Sequence, residues 1–294
     1  IILPIFLISE KMKAISSEYL DERVTTQNSG DEIEKLAVSF NSLLDRLQES
    51  FRRERQFIGD VAHELKTPLS TIKGEIELTL SKNRSSGEYQ KALSETLIDT
   101  NRLSTTVKNI LDLAWIGAEK PNLENNSVNL SAVLTELTDV AVKLASHKHI
   151  TLKSRIEDDV FVAGSEDKLG RAFLNLIDNA IKYTPKDKTV SISLRKKKNN
   201  ALIRIQDTGI GISEDELPHI FERFYRGSRT AKTLGSGLGL AIAQGIINAY
   251  HGEVNLTSKV GIGTTVTIAL PLHQLTRTMS SQLNSKRNLS LTSF

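Results

Sequence analysis

The chain has 294 residues, 39% hydrophobic, 25% charged and only 5% aromatic, enough material for two or three domains and better suited to long helical packing than to an all-β sandwich. It contains no cysteine, which excludes a disulfide framework and a thiolate metal site. The net charge is +3, and the tail from His273 to Phe294 supplies all of it through Arg277, Lys286 and Arg287, so no domain-scale basic surface and no nucleic-acid partner is implied.

The first eight residues, IILPIFLI, are nearly all apolar. A bilayer span needs about 20 such residues, and a signal peptide needs a basic leader, which is missing. The expectation is a fragment that starts just inside a membrane, with residues 1–3 ending a transmembrane helix; a short buried start of a soluble helix is the alternative. Pro4 then opens a helical pattern through Ile8, Met12, Ile15 and Leu20. Val24 to Gly30 reads as a polar connector. Asp31, Glu32 and Glu34 place negative charge at a second helix start, followed by Ile33, Leu36, Phe40, Leu43 and Leu47 at helical spacing. Two short amphipathic helices cannot bury their stripes alone, so residues 4–50 imply a parallel dimeric bundle.

No breaker separates Leu43 from the next stretch, so the helix is expected to continue into it. From Phe57 onward, Ile58, Ala62, Leu65, Leu69, Ile72, Ile76 and Leu80 trace a seam close to a heptad. His63 lies off that seam beside Glu64. Pro68 lies within it, where a missing donor is expected to weaken or kink the helix. On this stretch alone, a solvated surface histidine and a functional one are equally open readings. Lys82 to Gly87 reads as a loop. A second helix carries Leu93, Leu97, Thr100, Leu103 or Ser104, Val107, Ile110 or Leu111, and Ala114. The pair forms a helical hairpin over residues 51–118 whose stripes call for dimerisation into a four-helix bundle. Residues 119–128, polar and containing Pro121, form a linker.

Residues 129–272 alternate differently. Leu130 to Ser146 is helical. Short alternating runs then mark strands at Ile150–Leu152, Val160–Val162, Val190–Leu194, Ala201–Ile205, Val254–Leu256 and Val266–Leu270. Arg195 to Asn200, RKKKNN, is expected to be the turn between two of them. Helices intervene at Lys168–Tyr183 and Leu238–Tyr250. Hairpin-paired strands with interspersed helices give an α+β domain, its sheet mixed or antiparallel and its helices on one face.

Three loops carry the chemistry. Asp207-Thr208-Gly209-Ile210-Gly211 follows a strand and points an aspartate into whatever binds there. Gly235-Ser236-Gly237-Leu238-Gly239 runs straight into a helix, where free backbone donors suit a phosphate. Gly261-Ile262-Gly263-Thr264 joins the last two strands and by itself reads as structural. The P-loop pattern fails for want of its lysine, and the dinucleotide fingerprint fails because Glu214 and Leu240 stand where the third glycine belongs. Asn175 and Asn179 share a helix face, with Lys182 nearby. Two amides, a lysine, a strand-end aspartate and two glycine loops together form a nucleotide-binding constellation.

The motifs also resemble a known family. NLIDNAIKYTP (Asn175 to Pro185) is similar to the N box of the GHKL ATP-binding superfamily. DTGIGI, FERFYRG, GSGLGLAIA and GIGTT are similar to its other boxes as found in sensor histidine kinases, and HELKTP (His63 to Pro68) resembles their phosphoacceptor box. The first segment resembles the HAMP signal-relay domain of bacterial receptors. The resemblance implies a multidomain protein: all-α dimeric coiled-coil and four-helix bundles, HAMP followed by a dimerisation and histidine phosphotransfer hairpin, then an α+β two-layer sandwich of the Bergerat type, and a disordered tail over 273–294. It implies a membrane sensor histidine kinase of two-component systems, seen in its cytoplasmic portion at the inner membrane. This would be a homodimer that uses ATP and Mg²⁺ to phosphorylate His63, passes the phosphoryl group to an aspartate of a response regulator receiver domain, and acts as a phosphatase toward it.

By the same resemblance, Glu64 would accept the proton of the imidazole and Thr67 would orient the water of dephosphorylation. Asn175 would hold Mg²⁺, Asp207 would accept the adenine amino group, and Asn179, Lys182 and Tyr183 would contact phosphate or nucleotide. Gly235, Gly237 and Gly239 would bring backbone amides to the phosphates. Gly209, Gly211, Phe224, Leu238 and Thr264 complete the expected nucleotide contacts, beneath a lid from Ile212 to Leu234. Two other readings remain open at this point: a GHKL ATPase machine such as a topoisomerase relative, and a signalling scaffold with a degenerate ATP site.

Overall fold

The computed structural model describes residues 21–24, 32–118, 126–227 and 236–273. The expectations for residues 1–20, the connector beyond Val24, Asp31, the end of the lid, Gly235 and the tail lie outside these residues. The chain separates into two compact units, Ile1–Ala92 and Leu93–Phe294, each described by itself.

In the first unit, α1 spans Glu32–Leu80, 49 residues without interruption. Glu32 and Glu34 fall in its first turn, as the helix dipole favours. The segment Asp21–Val24 runs along its beginning. Asn41 brackets Val24, accepting from its N–H at 3.0 Å and donating to its carbonyl at 2.9 Å. Val24 is buried with Ala37, and Ile33 and Phe40 pack on the pair. The Arg23 guanidinium reaches Asp45 at 2.6 Å and Gln48 at 2.7 Å.

The helix continues through Pro68, so the expected weak point does not become a break. Proline removes one donor, and the neighbouring hydroxyls bond along the same stretch: Thr67 donates to the carbonyl of His63 and Thr71 to that of Thr67. The predicted seam is present but uncovered in the single chain, with Ile58 60% and Leu69 58% exposed. Helix α2, Ser86–Ala118, starts from a capping box. Ser85 N–H donates to Glu88 at 2.8 Å, and Glu88 N–H donates back to the Ser85 hydroxyl.

The second unit holds a two-layer α+β sandwich. Its sheet has the order β2-β4-β5-β7-β6. The strands are β2 (Thr151–Ile156), β4 (Thr189–Lys197), β5 (Asn200–Asp207), β6 (Glu253–Lys259) and β7 (Gly263–Pro271). Strand β2 pairs with β4 in parallel and the other pairs are antiparallel, so the sheet is mixed. Helices α3 (Leu130–His147), α4 (Glu166–Lys182) and α5 (Gly239–Ala249) pack on it.

Register explains the core. Ile192 stands opposite Ile205 and Ile205 opposite Val266, while Leu194 faces Ile203 and Ile203 faces Ile268. Because side chains alternate across a strand, these rows share one face. They bury against Leu130 and Leu134 of α3, Phe173, Leu176 and Ile177 of α4, and Ile242 and Ile246 of α5. Each such side chain contributes about 1.5–3 kcal/mol.

Two expectations need correction. The linker over 119–128 stops short, because Ser127–Asn129 forms strand β1, paired antiparallel with β3 (Phe161–Ala163). Three residues carry too little alternation to show in a sequence. The RKKKNN turn is also shorter than expected. Arg195, Lys196 and Lys197 extend β4, Lys197 pairs with Asn200, and only Lys198 and Asn199 turn, with Lys198 at φ 53°.

Candidate active site

The helix α4 presents the amides. Ser165 caps its start by accepting from Lys168 N–H, and Glu166 and Asp167 suit the positive end of the dipole. Its buried side, from Leu169 to Ile181, faces the sheet. The edge between core and solvent carries Lys168, Arg171, Asn175, Asn179 and Lys182, at steps of three and four. At the far end, Lys148 donates to the carbonyls of Ile181 and Lys182 at 3.2 and 3.0 Å and so satisfies the last turn. Lys182 Nζ lies 5.1 Å from the centre of the Tyr183 ring.

Asp207 ends β5 and is 9% exposed. Its Oδ1 accepts from Gly209 N–H at 2.8 Å and from Thr264 N–H at 3.2 Å. Burial raises its pKa above the ordinary carboxylate value, and the two backbone donors pull it part of the way back. Gly209 permits this close approach: a Cβ there would stand 2.5 Å from the Tyr183 carbonyl oxygen and 2.7 Å from Asp207 Oδ1. Thr264 is held in turn, its hydroxyl 2.9 Å from that of Ser258, which also accepts from Ile212 N–H. Gly211 lies against the backbone of Lys259 and Val260.

The glycine turn meets the lid. Gly237 has φ +70°, and a Cβ on it would stand 2.7 Å from the carbonyl carbon of Phe224. Phe224 itself has φ +62°. Gly239 lies beside both amides, its would-be Cβ 3.6 Å from Asn179 Nδ2 and 3.8 Å from Asn175 Cβ. Helix α5 has no side-chain cap at Leu238. Leu238 is fully buried. The described part of the lid, residues 212–227, is a series of turns closed by bonds such as Leu217 N–H to the Ser213 carbonyl.

The structure therefore brings Asn175, Asn179, Tyr183, Asp207, Gly209, Phe224, Gly237, Gly239 and Thr264 into one connected neighbourhood. Asn175 Nδ2 is buried and has no hydrogen-bond partner. A half-turn of the amide presents Oδ1 at the same point, a neutral oxygen suited to a hard cation. Among the described residues no group of three or more His, Cys, Asp or Glu could hold a metal ion.

His63, Glu64 and Thr67 belong to the first unit. His63 is exposed, and its imidazole makes no hydrogen bond or ion pair with the described residues. Glu64 does not bond to it. The Thr67 hydroxyl donates to the His63 carbonyl at 3.1 Å.

Comparison with known proteins gives three matches along the chain: residues 1–49 to the HAMP domain, 53–119 to the His Kinase A phospho-acceptor domain, and 164–274 to the histidine kinase-, DNA gyrase B- and HSP90-like ATPase. The sensor histidine kinase CusS of Escherichia coli O6:H1 is 34% identical over 270 residues, covering 91% of this chain and 56% of that protein. The chain belongs to the sensor histidine kinase family.

A second relative within the family, the probable sensor protein PcoS of Escherichia coli, is 36% identical over 238 residues, covering 80% of this chain and 51% of its own length. The chain spans about half the length of these curated relatives. The histidine kinase ThkA, solved in complex with the response regulator protein TrrA, superposes with TM-score 0.60 at 22% identity over 78% of this chain and 66% of that one, which establishes a shared fold.

Sequence reasoning missed a further set of residues. Asn109 and Asp112 of α2 are buried in the second unit, where they bond to Lys168 and Arg171 of α4. Leu113 is buried as well, whereas of the two alternatives for the predicted stripe Ile110 is half-buried and Leu111 is 64% exposed. The available signal was the apolar Leu113 and Ile116 lying off that stripe.

Proposed function

We propose that the chain is an ATP-dependent protein-histidine kinase that phosphorylates His63, transfers the phosphoryl group to an aspartate of a response regulator, and dephosphorylates that partner. The observation that carries this reading is the pairing of two features. A buried aspartate is anchored by Gly209 and Thr264 beside an unpartnered amide. A separate, exposed and unpaired histidine sits in the phospho-acceptor segment.

In this reading Asp207 Oδ2, which bonds to no described residue, accepts from the adenine amino group while Oδ1 stays fixed by the backbone. Asn175 would hold Mg²⁺, which supplies charge neutralisation on the phosphates when bound. Asn179, Lys182 and Tyr183 would contact the phosphates or the nucleotide, and the turn at Gly237–Gly239 would offer backbone donors. Gly211, Phe224 and the Leu238 backbone shape the rest of the contact. Phosphoryl transfer depends mainly on positioning and charge neutralisation, so the protein need supply little covalent chemistry beyond the nucleophile. His63 supplies it: a neutral imidazole has a lone pair at one nitrogen and a proton at the other. Glu64 is the nearest carboxylate in sequence to take that proton, which requires its side chain to swing, since adjacent helix residues point about 100° apart.

The exposed apolar stripe of α1 supports a homodimer, because a contiguous apolar face that long is not left in water. The HAMP match supports a place on the cytoplasmic side of a cell membrane. Among the described residues no helix is long and apolar enough to cross one.

The test is incubation with labelled ATP and Mg²⁺. Wild-type chain is expected to take up acid-labile, base-stable phosphate, and His63→Gln to take up none. Label retained by the variant moves the acceptor elsewhere.

A further inference from the structure

The sheet of the second unit has two faces, and the core uses only one. Ile192, Leu194, Ile203 and Ile205 are buried against the helices. Side chains alternate across a strand, so Ser193, Arg195, Leu202 and Arg204 stand on the opposite, open face. The register sets Arg155 of β2 opposite Ser193 of β4, Ser193 opposite Arg204 of β5, and Arg195 opposite Leu202. Neighbouring strands lie about 4.8 Å apart, so the two arginines that flank Ser193 are rooted about 10 Å from each other. Arg195 is the next residue on that face of β4, about 7 Å along the strand. It reaches this face only because the RKKKNN run continues β4 before it turns.

Long side chains around a small one leave a trough. It has a volume of about 680 Å³, and Glu157 and Asp158, just past the end of β2, line it as well. Small-molecule sites span roughly 300–1,000 Å³, so there is room for more than one phosphate group. The three arginines are exposed, and their guanidinium groups make no hydrogen bond or ion pair with the described residues. Glu157 does not neutralise them: its Oε2 accepts from Lys196 N–H at 2.8 Å. Like charges gathered across adjacent strands oppose folding, and a face with only a solvating role intersperses both signs. The arginine fork matches phosphate oxygens two at a time. The concave shape selects a compact anion. A bilayer surface or a nucleic-acid strand is extended, and would bring further phosphates against the carboxylates of Glu157 and Asp158.

We propose that Arg155, Arg195 and Arg204, with the Ser193 hydroxyl between them, form a second anion site on the open face of the sheet. Its ligand is a compact, multiply phosphorylated small molecule. The site lies on the opposite face of the sheet from α4, which carries Asn175 and Asn179, so it is separate from the nucleotide site and does not depend on the kinase reading.

The probe is inorganic tripolyphosphate, titrated calorimetrically into the full chain at low salt without Mg²⁺. The wild-type chain is expected to bind it, with a Kd that rises as salt is added. Combining Arg155→Gln with Arg204→Gln is expected to raise that Kd by about 10-fold or more, as the loss of hydrogen bonds to charged groups requires. The unliganded double variant should unfold at the same temperature as wild type or higher, because the substitutions remove like charges that have no partner. In a second arm, sedimentation with vesicles of phosphatidylcholine and phosphatidylserine should be equal for the two chains. Absence of binding to the wild type, or equal affinity in the double variant, overturns the site, since anion held at the glycine turn would survive these substitutions. A vesicle interaction that the double variant loses makes the face a membrane surface and overturns the small-anion assignment.

Discussion

Replacing Asp207 with asparagine separates the binding role proposed for this side chain from its structural one. Both backbone donors converge on Oδ1, from Gly209 at 2.8 Å and Thr264 at 3.2 Å. Asparagine keeps an oxygen for that position and puts an amide NH₂ where Oδ2 stood. The adenine amino group then meets a donor instead of a charged acceptor. A hydrogen bond to a charged group is worth about 1.5–3 kcal/mol, so the Kd for ATP should rise by roughly 10- to 150-fold. The fold should not suffer. Burial raises the pKa of Asp207 above the ordinary carboxylate value, so the folded state holds the proton more tightly than the unfolded chain does. Stability from this group is then greatest below the unfolded pKa and falls as pH rises through the raised folded one, leaving a charge that opposes folding at neutral pH. Asparagine carries no such charge. Calorimetric titration with Mg-ATP should show the loss of affinity. Thermal unfolding at pH 7 should give a midpoint at or above that of wild type, the difference shrinking as the pH is lowered toward about 4. Unchanged affinity, or weak binding accompanied by a lowered midpoint, refutes the reasoning.

Two other substitutions probe separate parts. Thr67→Ala removes a hydroxyl that donates to the His63 carbonyl, while backbone bonds keep the helix. Autophosphorylation should persist and dephosphorylation of the partner should fall about 10- to 100-fold, as expected for a lost positioning group; measuring release of phosphate from the phosphorylated regulator checks it, and an undiminished rate removes Thr67 from that step. Gly237→Ala forces a side chain into φ +70° and against the carbonyl of Phe224. A cost of about 1–3 kcal/mol should appear as weaker ATP binding, and wild-type affinity would show that the turn does not contribute.

How much could be read without the structure varies by residue. Asn175 and Asn179 were legible as a pair because helical periodicity alone puts residues four apart on one face. The single helix from Glu32 to Leu80 was legible because no breaker interrupts the charged stretch from Glu49 to Arg55, and Pro68 turned out to be absorbed rather than disruptive. The strands of the mixed sheet announced themselves by alternation, whereas β1, only three residues long, did not.

Local pattern, then, determined the helices, the strands and which residues share a face, since helix and strand periods are properties of neighbouring positions, while the roles proposed for His63 and the nucleotide-site residues rest on motif resemblance. Only the tertiary structure decided which distant groups meet. Thr264 reaches Asp207 across 57 positions and fixes one of its oxygens. Asp112 reaches Arg171 across 59 positions, on a helix where an aspartate would ordinarily be solvated. Such pairings depend on how layers pack, and a buried charge is tolerated only where a partner from another element arrives to meet it.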